Sequence, residues 1–335
     1  MTESPILEVR GLKVTFAQSQ SLMAGLLGRG RGRLARAVDG VDLVVAPGEV
    51  IALAGESGCG KTTLARSILG LVTPEAGEIR YRGDPIAKGK GGLRGYRRKV
   101  QMVFQDPSAA LNPRQTVYEG VAEGLRIHRL HEDEEGRVAR ALASAGLRPP
   151  ERFFLLYPHE LSGGQRQRVV IAGALVLEPE LIVADEPVSA LDASVKGEIL
   201  ALMLRLRQEF GLALLIVTHD LGLAWTVADR VAVMYLGKIV EIGPAADVLT
   251  TPLHPYTKAL LEVVPEAGGR TSTRKLLQGE PPDPTRIPPG CRFHPRCPEV
   301  ASGRAAQAGM EERCRGEIPP LREITPGHFA ACHLA

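Results

Sequence analysis

The apolar run Glu49 to Ala54 leads directly into Gly55-Glu56-Ser57-Gly58-Cys59-Gly60-Lys61-Thr62. An apolar strand that ends in such a glycine loop and passes straight into a helix leaves few folds open. Glycines let successive backbone N–H groups turn inward, and inward N–H groups cradle an anion. The helix expected from Lys61 to near Gly70 adds the positive end of its dipole. Lys61 supplies a cation for outer phosphates. The Thr62 hydroxyl is placed for Mg²⁺, with Thr63 beside it on the first helical turn. A strand, a phosphate loop and a helix in that order predict an α/β core built around a nucleotide phosphate.

Further along, the run Leu181-Ile182-Val183-Ala184 ends in Asp185-Glu186. A carboxylate at the carboxyl end of a buried strand sits where ligands bind in wound sheets. Asp185 is expected to hold the Mg²⁺ shell, and Glu186 to polarise an attacking water. Other strands are read at Ile6 to Phe16, Leu214 to Thr218 and Arg230 to Met234. Val117 to Ala145 and Gln165 to Leu177 read as helices, with apolar residues at three- and four-residue spacing. Helices between strands imply a parallel, open wound sheet with a helical insertion. Ser162-Gly163-Gly164-Gln165 opens one of those helices and describes a second anion surface. Cys59, at the start of a helix, is expected to have a lowered pKa.

Composition narrows the function. The chain has 335 residues, 41 basic and 38 acidic side chains and a net charge of +3, which gives no case for a nucleic-acid partner. Arg29, Arg31, Arg33 and Arg36 form a local cluster, read as a solvated loop within Ser19 to Arg36. No apolar run is long enough to span a bilayer, and residues 1–20 have no signal-peptide core, so a cytosolic chain is expected. Five cysteines in such a chain argue against a disulfide framework.

The phosphate loop, Leu161-Ser162-Gly163-Gly164-Gln165 and the Asp185-Glu186 strand end, in that order, resemble the ATP-binding cassette family over roughly residues 6–335. The resemblance implies an α/β P-loop NTPase (RecA-like) core with a helical subdomain at about 107–178, together forming a nucleotide-binding domain over 1–250. It implies that Gln105 touches Mg²⁺ and water and senses a membrane partner, that His219 is a switch near the terminal phosphate, and that Asp192 lies in a dimer-contact loop. Phe16 resembles the aromatic that stacks on adenine, although a core strand residue is an equal reading. The Ser162–Gln165 surface would cap the ATP of an opposite subunit, so function implies a dimer. Soluble cassettes acting on ribosomes normally pair two cassettes in one chain, and those of DNA repair carry a long coiled coil; neither feature is seen. Intact Lys61, Asp185, Glu186 and His219 argue against a non-hydrolysing subunit.

Past about Thr251 the composition turns to Pro, Gly and Arg, and residues 251–335 read as a small loop-rich extension without a sizeable core of its own. His254-Pro255-Tyr256-Thr257-Lys258-Ala259-Leu260-Leu261, Gly279-Glu280-Pro281-Pro282 and Cys291-Arg292-Phe293-His294-Pro295-Arg296-Cys297-Pro298 resemble the peptide/nickel importer branch. That resemblance implies a homologous, usually different, ATPase subunit, two membrane permease subunits, an extracytoplasmic binding protein and a place on the cytoplasmic face of the cell membrane. Di- or oligopeptide is the expected cargo; nickel, glutathione and oligosaccharide stay open. Cys291, Cys297, Cys314 and Cys332 have the spacing C-x5-C-x16-C-x17-C. Four thiolates suit an iron–sulfur cluster or structural zinc, although no tight zinc-type pair is present. The resemblance implies a [4Fe–4S] cluster; spacing alone leaves zinc and no metal open.

Overall fold

The computed structural model describes residues 4–17, 34–86, 92–262 and 279–335. Arg29, Arg31 and Arg33 of the basic loop lie outside the described residues; Arg36 pairs with Asp39 at 3.6 Å. The strands are β1 (Leu7–Ala17), β2 (Leu34–Val45), β3 (Val50–Ala54) and β4 (Ala76–Tyr81). After them come β5 (Asp84–Pro85), β6 (Val100–Val103), β7 (Leu181–Asp185) and β8 (Ala213–Thr218). The last are β9 (Arg230–Tyr235), β10 (Lys238–Pro244), β11 (Arg322–Thr325) and β12 (His328–Ala330). The chain divides into two compact units, each discontinuous in sequence.

One unit comprises residues 1–8, 44–50 and 80–217. Its β7 lies between β6 and β8, all parallel. Every residue of β7 and β8 is buried. Strands covered on both faces read as unbroken apolar runs, which is why both were visible in the sequence. Three helices, Val117–His128, Glu134–Ser144 and Gly163–Leu175, pack on one another in this unit. The span read as helical from 117 to 145 is two helices. Arg129 (φ 58°) takes the left-handed conformation and ends the first. The first helix begins with a capping box, Thr116 and Glu119 each satisfying the other's backbone N–H.

The other unit comprises residues 9–43, 51–79 and 218–335. Here β3 runs parallel to β9, from Ile51 opposite Arg230 to Ala54 opposite Val233. β10 folds back antiparallel on β9 and also pairs with β12, which pairs with β11. The C-terminal segment therefore extends the sheet that carries the phosphate loop. It also shares that sheet's core. Tyr256, Phe293 and Cys297 cluster with Ala52, Ala54, Val231, Val233 and Tyr235. The segment, expected to lack a sizeable apolar core, borrows one. Buried Glu241 in β10 accepts hydrogen bonds from Leu253 N (2.7 Å) and His254 N (2.9 Å), and its carboxylate meets His328 Nε2 at 2.8 Å.

Candidate functional site

The loop after β3 has the shape its glycines require. Gly55 has φ 149° and Gly60 φ 111°. A Cβ on Gly55 would stand 2.2 Å from the Met234 carbonyl oxygen, and one on Gly60 would stand 2.0 Å from that of Ala37. Both positions therefore admit only glycine, for conformation and for space. The helix Lys61–Ile68 starts directly from Gly60. Lys61 is buried, and its ammonium donates to the carbonyls of Gly55 (2.7 Å) and Glu56 (2.9 Å). It thus folds back along the loop that it closes. Ser57 and Gly58 are exposed, and Thr62 and Thr63 are half-buried.

Cys59 corrects one expectation. Its thiol is 6% exposed and lies 3.9 Å from the Lys61 ammonium. Burial pushes its pKa up, and the nearby lysine only partly opposes that. Desolvation of the thiolate thus outweighs the nearby lysine, and the position at a helix start does not lower the thiol's pKa.

In the other unit, Asp185 is buried at the end of β7. Glu186 follows with φ 48°, in the left-handed region where a non-glycine residue is strained. Its backbone N–H donates to Val217 O at 3.0 Å. Gln105, just past β6, donates through Nε2 to Glu186 Oε2 at 3.2 Å. The fold thus brings together two polar side chains that are 81 residues apart. Ser162 caps the helix Gly163–Leu175 in a capping box: Gln165 N donates to Ser162 Oγ (3.2 Å), and Ser162 N to Gln165 Oε1 (2.9 Å). Gly163 is exposed at the start of that helix. Asp192 stands at the N-cap of the helix Ala193–Phe210 with no side-chain cap bond.

His219, exposed, follows directly on β8. Phe16 is 45% exposed on β1, so it is not a core residue, which leaves its ring free to stack.

The four C-terminal cysteines are unpaired thiols lining one small cavity with His254, Phe293 and His294. Burial pushes Cys291 up to about 12 and raises Cys297, Cys314 and Cys332 as well. Four thiols on one cavity wall match a soft metal or cluster in donor type alone. Among the described residues, no group of three or more His, Cys, Asp or Glu side chains is placed so that it could hold a metal ion.

Two residues of this segment touch the phosphate loop and were not marked by sequence. Tyr256 Oη accepts from Glu56 N at 2.8 Å, and Arg296 makes a two-armed ion pair with the Glu56 carboxylate at 2.8 and 3.0 Å. Both stand inside the importer-like motifs. No local periodicity or spacing points from residue 296 to residue 56.

Residues 38–189 match the family model described as ABC transporter, and residues 240–303 match the one described as oligopeptide/dipeptide transporter, C-terminal region. YkfD of Bacillus subtilis, named for oligopeptide transport, is 44% identical over 341 residues, covering 100% of this chain and 97% of its own. The oligopeptide transport ATP-binding protein AppF of the same organism is 42% identical over 339 residues, covering 99% and 98%. Among solved structures, cbiO1 of Clostridium perfringens, part of the cbiONQ transporter complex, has a TM-score of 0.63 at 32% identity, covering 74% of this chain and 92% of its own. The dimeric cassette MJ0796 bound to ADP and phosphate has a TM-score of 0.61 at 29% identity, covering 71% and 98%.

Proposed function

Because the chain belongs to the ATP-binding cassette family of transporter ATPases, we propose that it is the ATP-hydrolysing subunit of a di- or oligopeptide importer. The observation that carries the peptide assignment is the match of residues 240–303 to the oligopeptide/dipeptide C-terminal region, joined to relatives matched over nearly their whole length. No helix among the described residues is long and apolar enough to cross a membrane. Translocation then needs separate permease subunits, fed by an extracytoplasmic binding protein. We assign the nucleotide-binding domain to residues 1–250 and the extension to 251–335.

Residues 55–63 hold the triphosphate, with the Lys61 ammonium turning from the loop carbonyls to the outer phosphates. Thr62, Gln105 and Asp185 are assigned to Mg²⁺, which when bound neutralises charge on the transferring phosphoryl group. Glu186 accepts the proton of the attacking water, and the Gln105 contact supports a shared grip on that water. His219 faces the terminal phosphate, Phe16 stacks on the base, and Ser162–Gln165 with Asp192 contribute to the site of a second ATPase subunit. Glu186→Gln should keep ATP binding and lower turnover by about 10²–10⁴-fold, the usual worth of a general base. Hydrolysis at the wild-type rate would contradict the role. Peptide uptake by vesicles carrying the complete transporter tests the cargo; uptake of nickel, glutathione or an oligosaccharide instead would replace peptide as the cargo.

The same reading assigns a [4Fe–4S] cluster to Cys291, Cys297, Cys314 and Cys332. Its support is the family resemblance and the four thiols that line one cavity; their present spacing is not yet that of a ligand set. Such a cluster would cross-link a segment that has little core of its own. Protein purified without oxygen should be brown and carry about four irons per chain. Stoichiometric zinc in colourless protein would replace the cluster with a structural zinc.

A further inference from the structure

Glu56 is the single carboxylate within residues 55–62. A negative charge beside a triphosphate works against binding unless it is neutralised. The neutralising group comes from the C-terminal segment. Arg296 reaches Glu56 with both guanidinium arms, its side chain 5% exposed and that of Glu56 24%. Two-armed pairs of this kind fix geometry as well as charge. A different element holds the other end of the same residue: the Glu56 backbone N–H donates to the hydroxyl of Tyr256, on the helix Pro255–Leu261.

Both grips are themselves held rigidly. Arg296 ends the tight turn His294–Arg296, and its guanidinium lies 5.9 Å over the Tyr235 ring. The Tyr256 and Phe293 rings pack on that ring at 4.6 and 5.2 Å. Cys291 and Cys297 bracket the turn. On the loop side, the Glu56 carbonyl is one of the two that receive the Lys61 ammonium. Moving Glu56 therefore moves the acceptor that sets the position of Lys61.

We infer that Arg296 and Tyr256 are positioning residues for ATP. The C-terminal segment grips the phosphate loop through Glu56, fixes the loop's shape and cancels its carboxylate, so the order of the four-thiol segment sets ATP affinity. The inference rests on the reading of residues 55–62 as the ATP phosphate site, and Lys61→Ala tests that reading separately.

The experiment measures ATP and ADP affinity and steady-state hydrolysis on the full chain, with thermal melting as a check on folding. Arg296→Met should weaken ATP about tenfold, in line with loss of a charged hydrogen-bonded pair, and ADP less, because ADP carries less charge. In the Arg296→Met background, Glu56→Gln should bring ATP affinity back to within about threefold of Glu56→Gln alone, since the unpaired charge is gone. Tyr256→Phe should raise KM for ATP about threefold and leave kcat nearly unchanged, the mark of lost positioning in the binding step. Should Arg296→Met fail to fold, Arg296→Lys and Tyr256→Phe carry the test: the lysine keeps the charge but loses the second arm, and should fall between wild type and Tyr256→Phe. Normal ATP affinity in folded Arg296→Met and Tyr256→Phe, with Lys61→Ala inactive in binding, overturns the inference and leaves the phosphate site standing. Retained ATP binding in Lys61→Ala removes the phosphate site, and the inference with it.

Discussion

Replacing Glu241 by alanine should loosen the attachment of the C-terminal segment. The carboxylate is fully buried and accepts from Leu253 N at 2.7 Å and His254 N at 2.9 Å, with His328 Nε2 at 2.8 Å. Alanine strands two backbone donors, at about 1–3 kcal/mol each. Removing a buried charge offsets part of that loss. The net expectation is about 3 kcal/mol of destabilisation, most of it local to residues 253–256, from which the helix bearing Tyr256 starts. Hydrogen exchange by mass spectrometry reads this directly: the Leu253 and His254 amides should lose protection well before the amides of β7 and β8. A urea midpoint on the same protein gives the global value. Unchanged protection at Leu253 and His254, or a loss below about 1 kcal/mol, would refute the reasoning, because donors buried without an acceptor cannot be that cheap.

Two further outcomes follow from buried groups. Iodoacetamide at neutral pH should modify Cys59 more slowly in the folded chain than in urea, because burial raises its pKa; faster modification in the folded chain would restore an activated thiol. His254 is buried neutral, its pKa pushed down from 6.5 to about 3 by desolvation and the nearby Lys258, while its Nδ1 accepts from Tyr256 N at 3.0 Å. The unfolded chain then binds a proton that the folded chain refuses. This contribution is complete above pH 6.5 and is lost as pH falls towards about 3, at about 1.4 kcal/mol per pH unit. His254→Asn keeps a cap acceptor and should flatten that slope; an unchanged slope would clear His254 of the effect.

What the sequence disclosed depended on how each residue earns its place. β3, β7 and β8 are covered on both faces, so burial writes itself as an apolar run. β10 was missed because its fully buried Glu241 imitates a surface residue until its three partners are known. β11 was missed because it is largely exposed and shows no alternation. The loop glycines were legible because their backbone angles exclude other residues. Gln105 was named from the family resemblance and Glu186 from its place directly after Asp185, and their contact could not be read from an 81-residue separation. Cys59 was misjudged for a physical reason: a helix start lowers a thiol pKa only where the thiolate remains solvated, and this one does not. Arg296 and Tyr256 carry no local signature, since their meaning lies in a partner about two hundred residues away.

The discontinuity of the unit that carries the phosphate loop bears on how the protein matures. Its first pieces end at Ile79, and the remainder begins only at Thr218. During synthesis the loop leaves the ribosome long before β9, its parallel neighbour. Arg296 comes 240 residues after Glu56, a delay of roughly 12–48 s at about 5–20 residues per second. The stretch 80–217 is continuous within the other unit and has no such wait. Nucleotide binding should therefore be among the last properties a nascent chain acquires. A stalled chain ending before residue 296 would display a glycine loop whose carboxylate still repels the ligand, so ATP would be taken up mainly by chains whose synthesis has passed that point.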